Sequence, residues 1–323
     1  MPALAFHGPA TRRRTDARAY SRIGLMATLV EPVDEHNLGD FLQYCHQYGP
    51  VHDDSYLPGR DFAVNLDHPS YLLLEDGKPA GAVSLIRGMA HRQARRGRFS
   101  VFHSLIPSAR AYSQLYQAIS AHFESLDRVF LFVPRDRQDT RSTLVELGFE
   151  VERTSFVLCL ENPRPHSVEF GEGFSVVSLK PNDLPRIGEF ADTTNSDFRD
   201  VAGHMDLSRA DVRGWFLGPS SLENGISFLC HDGEPIGSVC ILRGFGNQAA
   251  SEITALSVSN AFRGQGLGRR LLRWAVNFSM SSGRKPIYLS MNGENDSALR
   301  LYLSEGFILK KTVDCYEKDV RDA

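Results

Sequence analysis

The chain has 323 residues, of which 42% are hydrophobic and 23% are charged. This length exceeds what one small core usually organises, and the composition is that of a soluble globular protein, so we expect two domains and exclude a wholly disordered chain. Lysine and arginine number 36 against 39 aspartates and glutamates, which gives a net charge of -3. This balance excludes a global basic field and argues against nucleic acid as a partner.

The sequence shows neither a membrane-spanning segment nor a metal site. No apolar run approaches the roughly 20 residues that span a bilayer, and the N-terminus lacks the apolar core of a secretory signal. The five cysteines are odd in number and contain no Cys-x-x-Cys pair, and the eleven histidines are dispersed. Such a set is typical of reduced thiols and not of zinc ligands. We therefore expect a cytoplasmic protein with no metal and no membrane partner.

The first 25 residues differ in composition from the rest of the chain. Five arginines lie between Arg12 and Arg22, and large apolar side chains are few. A stretch of this kind buries too little apolar surface to fold. Residues 1–25 are predicted to form a disordered basic tail.

The remainder of the chain contains an internal repeat. Residues 76–88 read almost in parallel with residues 232–244, and Gly148-Phe149 corresponds to Gly306-Phe307 at nearly the same offset. A repeat of this length indicates two copies of one domain. The run 161–166 holds two prolines and no hydrophobic periodicity, which is typical of a linker. We predict domains at 26–162 and 172–323, joined by a linker at 163–171.

Each copy predicts the same order of elements. An Asp-Gly dipeptide separates two β-rich runs, and Asp-Gly supplies the positive φ angles of a tight hairpin turn. A third strand, an amphipathic helix, a short buried strand, a second helix that ends before Gly-Phe and closing strands follow. Helical regions at 37–48 and 184–215 precede the two hairpins and would overhang the sheet. Each copy is therefore an α/β unit on a mixed sheet. The predicted strands are 71–74, 80–86, 99–106 and 129–133 in the first copy, and 226–230, 236–242, 253–258 and 287–290 in the second.

A glycine-rich loop connects the third strand to the helix in the second copy. Residues 258–269, VSNAFRGQGLGR, pass through three glycines. Glycines let backbone N–H groups turn toward one point, and a helix N-terminus adds partial positive charge, which favours a phosphate or pyrophosphate. The loop is neither a Walker A nor a Rossmann pattern. As a bare pattern, it fits a structural turn equally well.

The context of this loop resembles the GNAT superfamily of acyl-CoA N-acyltransferases. The resemblance rests on Val-x-x-x-Phe-Arg-Gly-x-Gly-x-Gly after a strand, followed by Asn-x-x-Ala-x-x-x-Tyr-x-x-x-Gly-Phe at 295–307, and it covers residues 172–320. Asn260 departs from the proline that is common in the family. The resemblance implies an α/β (α+β) fold of two tandem domains, each a mixed, mostly antiparallel, splayed sheet flanked by helices.

The resemblance also implies a site for acetyl-CoA. The backbone amides of the loop would hold the CoA pyrophosphate, and the pantetheine would lie along the preceding strand. Asn295 resembles an asparagine near the pantetheine, although a plain helix N-cap explains it equally. The implied CoA-binding residues are Leu256, Val258, Arg263, Gly264, Gln265, Gly266, Leu267, Gly268, Arg269, Asn295 and Tyr302.

Two catalytic roles follow from the same resemblance. Tyr302 lies where the family often has a tyrosine that protonates the departing thiolate, although a tyrosine packed on its helix is the alternative. Glu252 lies where several members have a glutamate that takes a proton from the attacking amine. Such a base is needed because a Lys-like amine, with a pKa of about 10.4, is mostly charged at pH 7. A solvent-exposed carboxylate at the strand edge is the alternative for Glu252.

The first copy departs from the pattern. Its counterpart loop, 105–113, contains no glycine, so close backbone approach to a pyrophosphate is not expected. This half resembles the degenerate domain of tandem GNAT proteins such as mycothiol synthases. Its basic segment at 87–98 is interpreted as a solvated hairpin loop, with an anion or nucleic-acid contact as the alternative.

Together these observations predict an N-acetyltransferase that moves an acetyl group from acetyl-CoA to a small-molecule or peptide amine in a ternary complex. The alternatives are a non-catalytic acyl-CoA-binding or sensing module, and an N-acyl amino-acid or signal synthase that uses longer acyl chains. We expect acceptor recognition in 192–215. Four aspartates there would either contact a cationic amine or serve as surface charges and helix caps: Asp197, Asp200, Asp206 and Asp211.

Overall fold

A computed structural model describes residues 28–51, 56–59, 62–244, 247 and 249–321. The basic tail predicted at 1–25 lies outside these residues. The described strands are β1 (Thr28–Pro32), β2 (Ser70–Glu75), β3 (Lys78–Ile86), β4 (Arg96–Ser104), β5 (Arg128–Pro134), β6 (Glu150–Leu160), β7 (Phe174–Ser178), β8 (Ile226–His231), β9 (Glu234–Arg243), β10 (Ser251–Val258), β11 (Ile287–Asn292) and β12 (Ile308–Asp319).

Helices cover both faces of the sheet that these strands form. Both Asp-Gly turns have the predicted positive φ angles, 49° and 76° at Asp76 and Gly77 and 50° and 89° at Asp232 and Gly233. The hairpins β2–β3 and β8–β9 therefore form where the sequence predicts them. The described helices are α1 (Leu38–Tyr48), α2 (Met89–Gln93), α3 (Ala109–Ser120), α4 (Gln138–Glu146), α5 (Leu184–Phe198), α6 (Arg209–Leu217), α7 (Leu267–Ser281) and α8 (Asp296–Ser304).

The twelve strands form one continuous sheet in the order β1-β2-β3-β4-β5-β12-β6-β11-β10-β9-β8-β7. Only β4–β5 and β10–β11 pair in parallel, and the other described pairs are antiparallel. The splayed, mostly antiparallel architecture of the tandem fold is confirmed.

The two halves exchange their closing strands. Strand β12, the last in the chain, pairs with β5 of the first half, and β6 of the first half pairs with β11 of the second. The two exchanged strands also pair with each other along residues 150–159 and 308–317. The boundaries 26–162 and 172–323 stay a prediction about the repeat. In space, each half of the sheet is completed by a strand from the other half of the chain.

Apolar cores lie on both faces of the sheet. In the first half, Leu115 and Ile119 of α3 pack with Phe99 and Phe102 on one face, and Phe41 of α1 packs on the other. In the second half, α7 packs on one face, and α5 and α6 pack on the opposite face around Phe190. The predicted early helices therefore overhang one face, where they can border a ligand site.

The basic segment at 87–98 is not a solvated hairpin loop, and that interpretation is wrong. It forms α2 and the start of β4, and its arginines pair with carboxylates of the first half and of β12. Arg87 pairs with Glu124, Arg92 with Asp67, Arg95 with Asp127, and Arg96 with Glu152 and Glu317. The sequence could not show this because the partner acids lie 25 to 56 residues away in several of these pairs.

Asp314 of β12 joins three strands at the exchange. Its buried carboxylate accepts hydrogen bonds from Arg135 at 2.7 and 3.2 Å and from Thr154 of β6 at 2.8 Å. Burial raises the pKa of Asp314, but these hydrogen bonds outweigh burial and lower it below its usual value. The charged form is therefore the one that holds β12 in place.

Asp314→Asn should reduce the free energy of unfolding by roughly 2 to 4 kcal/mol, because two charge-assisted hydrogen bonds are lost at a buried position. Asp319→Asn, at the exposed end of the same strand, is the matched control and should change it far less, because exposed ion pairs are screened by solvent. Urea unfolding at pH 7 measures both. Because the folded pKa of Asp314 is lowered, its stabilisation is present above the unfolded pKa of about 3.9 and should fade as the pH falls below it.

Strand exchange also predicts how the chain behaves when cut. Cleavage within 163–171 should leave two fragments that remain associated, because β12 of one fragment pairs with β5 and β6 of the other. The fragment that begins after the cut, expressed alone, should lack a cooperative melting transition, since it loses β6 beside β11. Size-exclusion chromatography and thermal unfolding provide the measurement. A monomeric second fragment that melts like the intact chain would contradict the exchange.

Candidate active site

The second half opens into a large cleft between two parallel strands. Strands β10 and β11 pair only at residues 251–253 and 287–289, and they diverge beyond that point. The resulting cavity of about 1250 Å³ is bordered by both strands, by the start of α7, by α8 and by the segment after α5. The cleft is large enough for two substrates, since small-molecule sites typically occupy about 300 to 1,000 Å³.

A β-bulge shapes the wall of this cavity. The β9–β10 register skips residues between Thr254 and Ser257, and Ala255 has a φ of 49°. A bulge leaves backbone polar groups unpaired and bends the strand. It also puts Leu256 and Val258 on the α7 face with Ile253, whereas Ala255 joins the core on the α5 face. Leu256 and Val258 both line the cavity, as the CoA-binding prediction requires.

The glycine loop lies at the mouth of the cleft. Gly264 and Gly266 have φ angles of 80° and 76°, and Gly266 is the N-cap of α7. A Cβ at either glycine would meet no described atom within 4 Å, so the conformation and not crowding requires glycine. Backbone N–H groups at the start of a helix have no intrahelical acceptor. Those of Leu267, Gly268 and Arg269 are therefore free to bind an anion at the mouth of the cavity.

Arginine side chains near the loop bind other groups of the protein. Arg263 donates through Nε to the carbonyl oxygen of Val258 at 2.8 Å. Arg269 and Arg273 both pair with Glu305, whose side chain is 3% exposed, and so tie α7 to the end of α8. Burial raises the pKa of Glu305, and its bonds to Arg273 and Arg269 outweigh burial and lower it. The loop therefore offers backbone donors, while Gln265 is exposed beside them.

Tyr302 lies in the cavity wall on α8. It is buried, its ring packs 5.9 Å from that of Phe307, and burial raises the pKa of its phenol to about 12. A raised pKa keeps the phenol protonated throughout the neutral range. The side chain can therefore donate a proton into the cavity.

Asn295 both caps α8 and borders the cavity. Its Oδ1 accepts hydrogen bonds from the backbone N–H of Ala298 at 3.0 Å and from the hydroxyl of Ser297 at 3.0 Å. The N-cap reading is confirmed, and the side chain also lines the cavity. Contact with a ligand through the remaining amide group stays a prediction.

Glu252 is half-buried on β10 opposite Leu242 of β9, and the cavity wall begins at the next residue. Burial raises the pKa of its carboxyl group, which is the direction expected of a base that works near neutral pH. The Glu252 side chain does not belong to the described lining of the cavity, so its role as the base stays a prediction.

The end of the cavity near α5 is acidic. Asp197 accepts a hydrogen bond from Ser257 at 2.6 Å, and Ser257 continues through Ser238 to Thr194. Asp197 and Asp200 line the cavity. The other two predicted aspartates do not line it.

Asp211 completes a capping box with Ser208 at the start of α6, so the cap alternative holds for this residue. Asp206 is exposed and lies 3.5 Å from Nε2 of His204.

Sequence reasoning missed His204 and Trp215, which line the same end of the cavity. No motif marks either residue. The one signal in the sequence is the glycine directly before His204. In the structure this residue, Gly203, has a φ of 73°.

The corresponding position in the first half is built differently. The backbone N–H of Ala111, in the first turn of α3, donates to Oγ of Ser108 at 3.3 Å, and the N–H of Ile106 donates to Oγ of Ser104 at 3.0 Å. In the first half, two backbone amides are thus bound by serine side chains of the same half. The corresponding amides of the second half border the cleft.

Across the described parts of the chain, no cluster of three or more His, Cys, Asp or Glu side chains could hold a metal ion. None of the described helices has the length and apolar character needed to cross a membrane.

The sequence and the fold both match known acetyltransferases. The family model described as "Acetyltransferase (GNAT) family" matches residues 189–307. A mycothiol acetyltransferase of Corynebacterium efficiens is 29% identical over 112 residues, which are 35% of this chain and 36% of that protein. The matched part therefore spans about a third of this relative.

Two solved structures cover nearly the whole chain. A GCN5-related N-acetyltransferase from Sphaerobacter thermophilus gives a TM-score of 0.68 at 13% identity and covers 92% of this chain and 96% of that one. A tandem GNAT protein from the clavulanic acid biosynthesis pathway gives 0.67 at 13% identity, with 92% and 100% covered. At these identities the likeness shows the fold alone. Residues 189–307 are thus a domain of the GNAT acetyltransferase family, in a chain that has the fold of a tandem GNAT protein.

Proposed function

We propose that this chain transfers an acetyl group from acetyl-CoA to the amine of a small molecule or peptide. The observation that carries the proposal is the start of α7, where free backbone amides follow two left-handed glycines at the mouth of the cleft. Backbone donors at a helix N-terminus suit a pyrophosphate. The cavity and these donors fit CoA, which would supply the acetyl thioester when bound.

The residues around the cleft can perform the proton transfers that this reaction needs. Tyr302 stays protonated at neutral pH and donates to the leaving thiolate. Backbone N–H groups at the Ala255 bulge would donate to the carbonyl oxygen of the thioester. The sequence predicts Glu252 as the group that takes the proton of the amine, directly or through a water.

The first half would support the active half and not bind CoA. The hydroxyls of Ser104 and Ser108 accept hydrogen bonds from backbone amides near the start of α3, and no glycine lies in that loop. We place the reaction in the cytoplasm, consistent with the five free cysteines, all buried. We assign no nucleic-acid or membrane partner.

A panel of amines with acetyl-CoA and longer acyl-CoAs, followed by thiol release, tests the proposal. Amine-dependent release of CoA with acetyl-CoA is the expected result. Binding of acetyl-CoA without turnover of any amine would instead favour a sensing module, and preference for long chains would favour a signal synthase.

Gly266→Asp should abolish acetyl-CoA binding while leaving the protein folded. The new side chain would force an unfavourable positive φ and place negative charge beside the pyrophosphate. Acetyl-CoA at about 100 times its dissociation constant should stabilise the wild type by roughly 2.7 kcal/mol, which a thermal shift detects. Gly171→Asp is the matched control, since Gly171 also has a positive φ and open space around it but lies in the linker. An undiminished shift in Gly266→Asp would remove the phosphate-loop assignment.

Tyr302→Phe should lower kcat by roughly 10² to 10⁴ with little change in acetyl-CoA binding, because only the proton donor is lost. Tyr288→Phe, at a tyrosine outside the cavity wall, is the control and should keep wild-type turnover. Steady-state kinetics and the thermal shift provide the two measurements. Equal turnover in Tyr302→Phe and wild type would show that another group protonates the thiolate.

A further inference from the structure

His204 occupies a place in the cleft that the sequence did not predict. It lies in the segment between α5 and α6, and its backbone N–H donates to the carbonyl oxygen of Val201 at 3.0 Å. The side chain borders the same cavity as Thr254 and Ala255 of the bulge. An imidazole therefore lines the cavity that the β10 bulge also borders.

The imidazole ring of His204 packs against an aromatic ring and lies near a carboxylate. The ring stacks on Phe198 with centroids 5.9 Å apart and planes 24° apart. Nε2 is buried and lies 3.5 Å from Oδ1 of Asp206, and it makes no hydrogen bond with a described group. A buried ring nitrogen without a partner is a polar group that a bound ligand can satisfy.

The surroundings also favour the neutral ring at neutral pH. Burial lowers the pKa of His204, and the charge of Asp206 opposes this effect without reversing it. Asp197 near the end of α5 and Asp200 just beyond it line the cavity, and Arg153 of β6 lies against Gly203. A neutral imidazole can accept a proton, which a protonated one cannot.

The first half of the chain supports the segment that carries His204. Arg153 of β6 lies against Gly203 so closely that a Cβ there would overlap its guanidinium group. That group also stacks over Phe132 at 5.2 Å and pairs with Glu152. Because Gly203 precedes His204 directly, a side chain of the first half fixes the position of the histidine.

We propose that the imidazole of His204 accepts the proton that the acceptor amine must lose, and that Arg153 is a positioning residue for the segment that carries it. This inference rests on the proposed acetyl transfer. It assigns to His204 the role that the sequence predicted for Glu252. It also gives the first half a part in acceptor recognition.

The amine enters as an ammonium ion and gives one proton to the imidazole of His204, which later releases it to water. Its nitrogen forms the amide bond as the C–S bond of the thioester breaks. A second proton leaves the nitrogen and replaces the one that Tyr302 gives to the thiolate. The products are an amide, a thiol and one proton in solution.

His204→Gln tests the proton acceptor with acetyl-CoA and the best amine of the panel. At pH 7, kcat/KM should fall by roughly 10² to 10⁴. In wild type, kcat/KM should level off above the pKa of His204, whereas in the variant it should keep rising toward the pKa of the amine, about 10.4 for a Lys-like amine. The acetyl-CoA thermal shift should stay. Asp206→Asn is a milder variant that should lower kcat/KM less, and His36→Gln is an exposed control.

The inference would be overturned if His204→Gln kept the wild-type dependence of kcat/KM on pH while Glu252→Gln lost it. The acetyl transfer itself would then remain intact. Absence of turnover in wild type with every amine would instead contradict the proposed function. An NMR titration of the His204 ring separates these cases without turnover. The ring should titrate below 6.5, and Asp206→Asn should lower its pKa further; a pKa above 6.5 would overturn the inference.

Arg153→Met tests the positioning role. Turnover should fall and the KM for the amine should rise, while the shape of the pH profile and the acetyl-CoA thermal shift stay as in wild type, because the proton acceptor is retained. Arg137→Met, at a half-exposed arginine of the first half, is the matched control and should leave kinetics unchanged. Wild-type kinetics in Arg153→Met would show that the first half does not position the histidine.

Discussion

The pairing of β6 with β12 is the constraint on which the rest of the structure depends. These two strands lie side by side at the centre of the sheet. Strand β6, from the first half of the chain, completes the second half of the sheet, and β12, from the second half of the chain, completes the first. Their contact makes twelve strands into one sheet. Asp314, Arg135 and Thr154 add charge-assisted hydrogen bonds across the same strands. Neither half keeps its full set of strand partners without the other.

This exchange places the first half beside the active cleft. Strand β6 pairs with β11, and β11 forms one wall of the cavity. Arg153 on β6 can then reach Gly203, which lies beyond the end of α5. A first half that had lost its own ligand site would still be retained, because it supplies a strand and a supporting side chain to the second.

The local features of the fold could be predicted from the sequence, because they depend on residues close together in the chain. The Asp-Gly turns, the early helices and the left-handed glycines of the loop follow from backbone preferences, and the buried position of Tyr302 fits its place in the motif. Strand exchange could not be predicted, since a repeat shows which strands are equivalent but not which copy each one joins. Ala255 could not be identified either, because an alanine with positive φ carries no local signal.

The arrangement of charge in the candidate site depended even more on tertiary contacts. Arg263 and Arg269 lie in the motif, yet their side chains bind Val258 and Glu305, so that backbone amides are left for an anion. At the other end of the cleft, Asp197 and Asp200 provide negative charge.

One cavity thus has anion donors at its mouth and carboxylates near α5. This polarity suits a negatively charged acyl donor and a cationic acceptor that meet at the Ala255 bulge, each drawn to the end of opposite charge. An ammonium ion held by carboxylates is also stabilised in its charged form, and that form cannot attack a thioester. The attraction that would bind the acceptor therefore makes its deprotonation harder, and a neutral imidazole beside those carboxylates resolves this conflict.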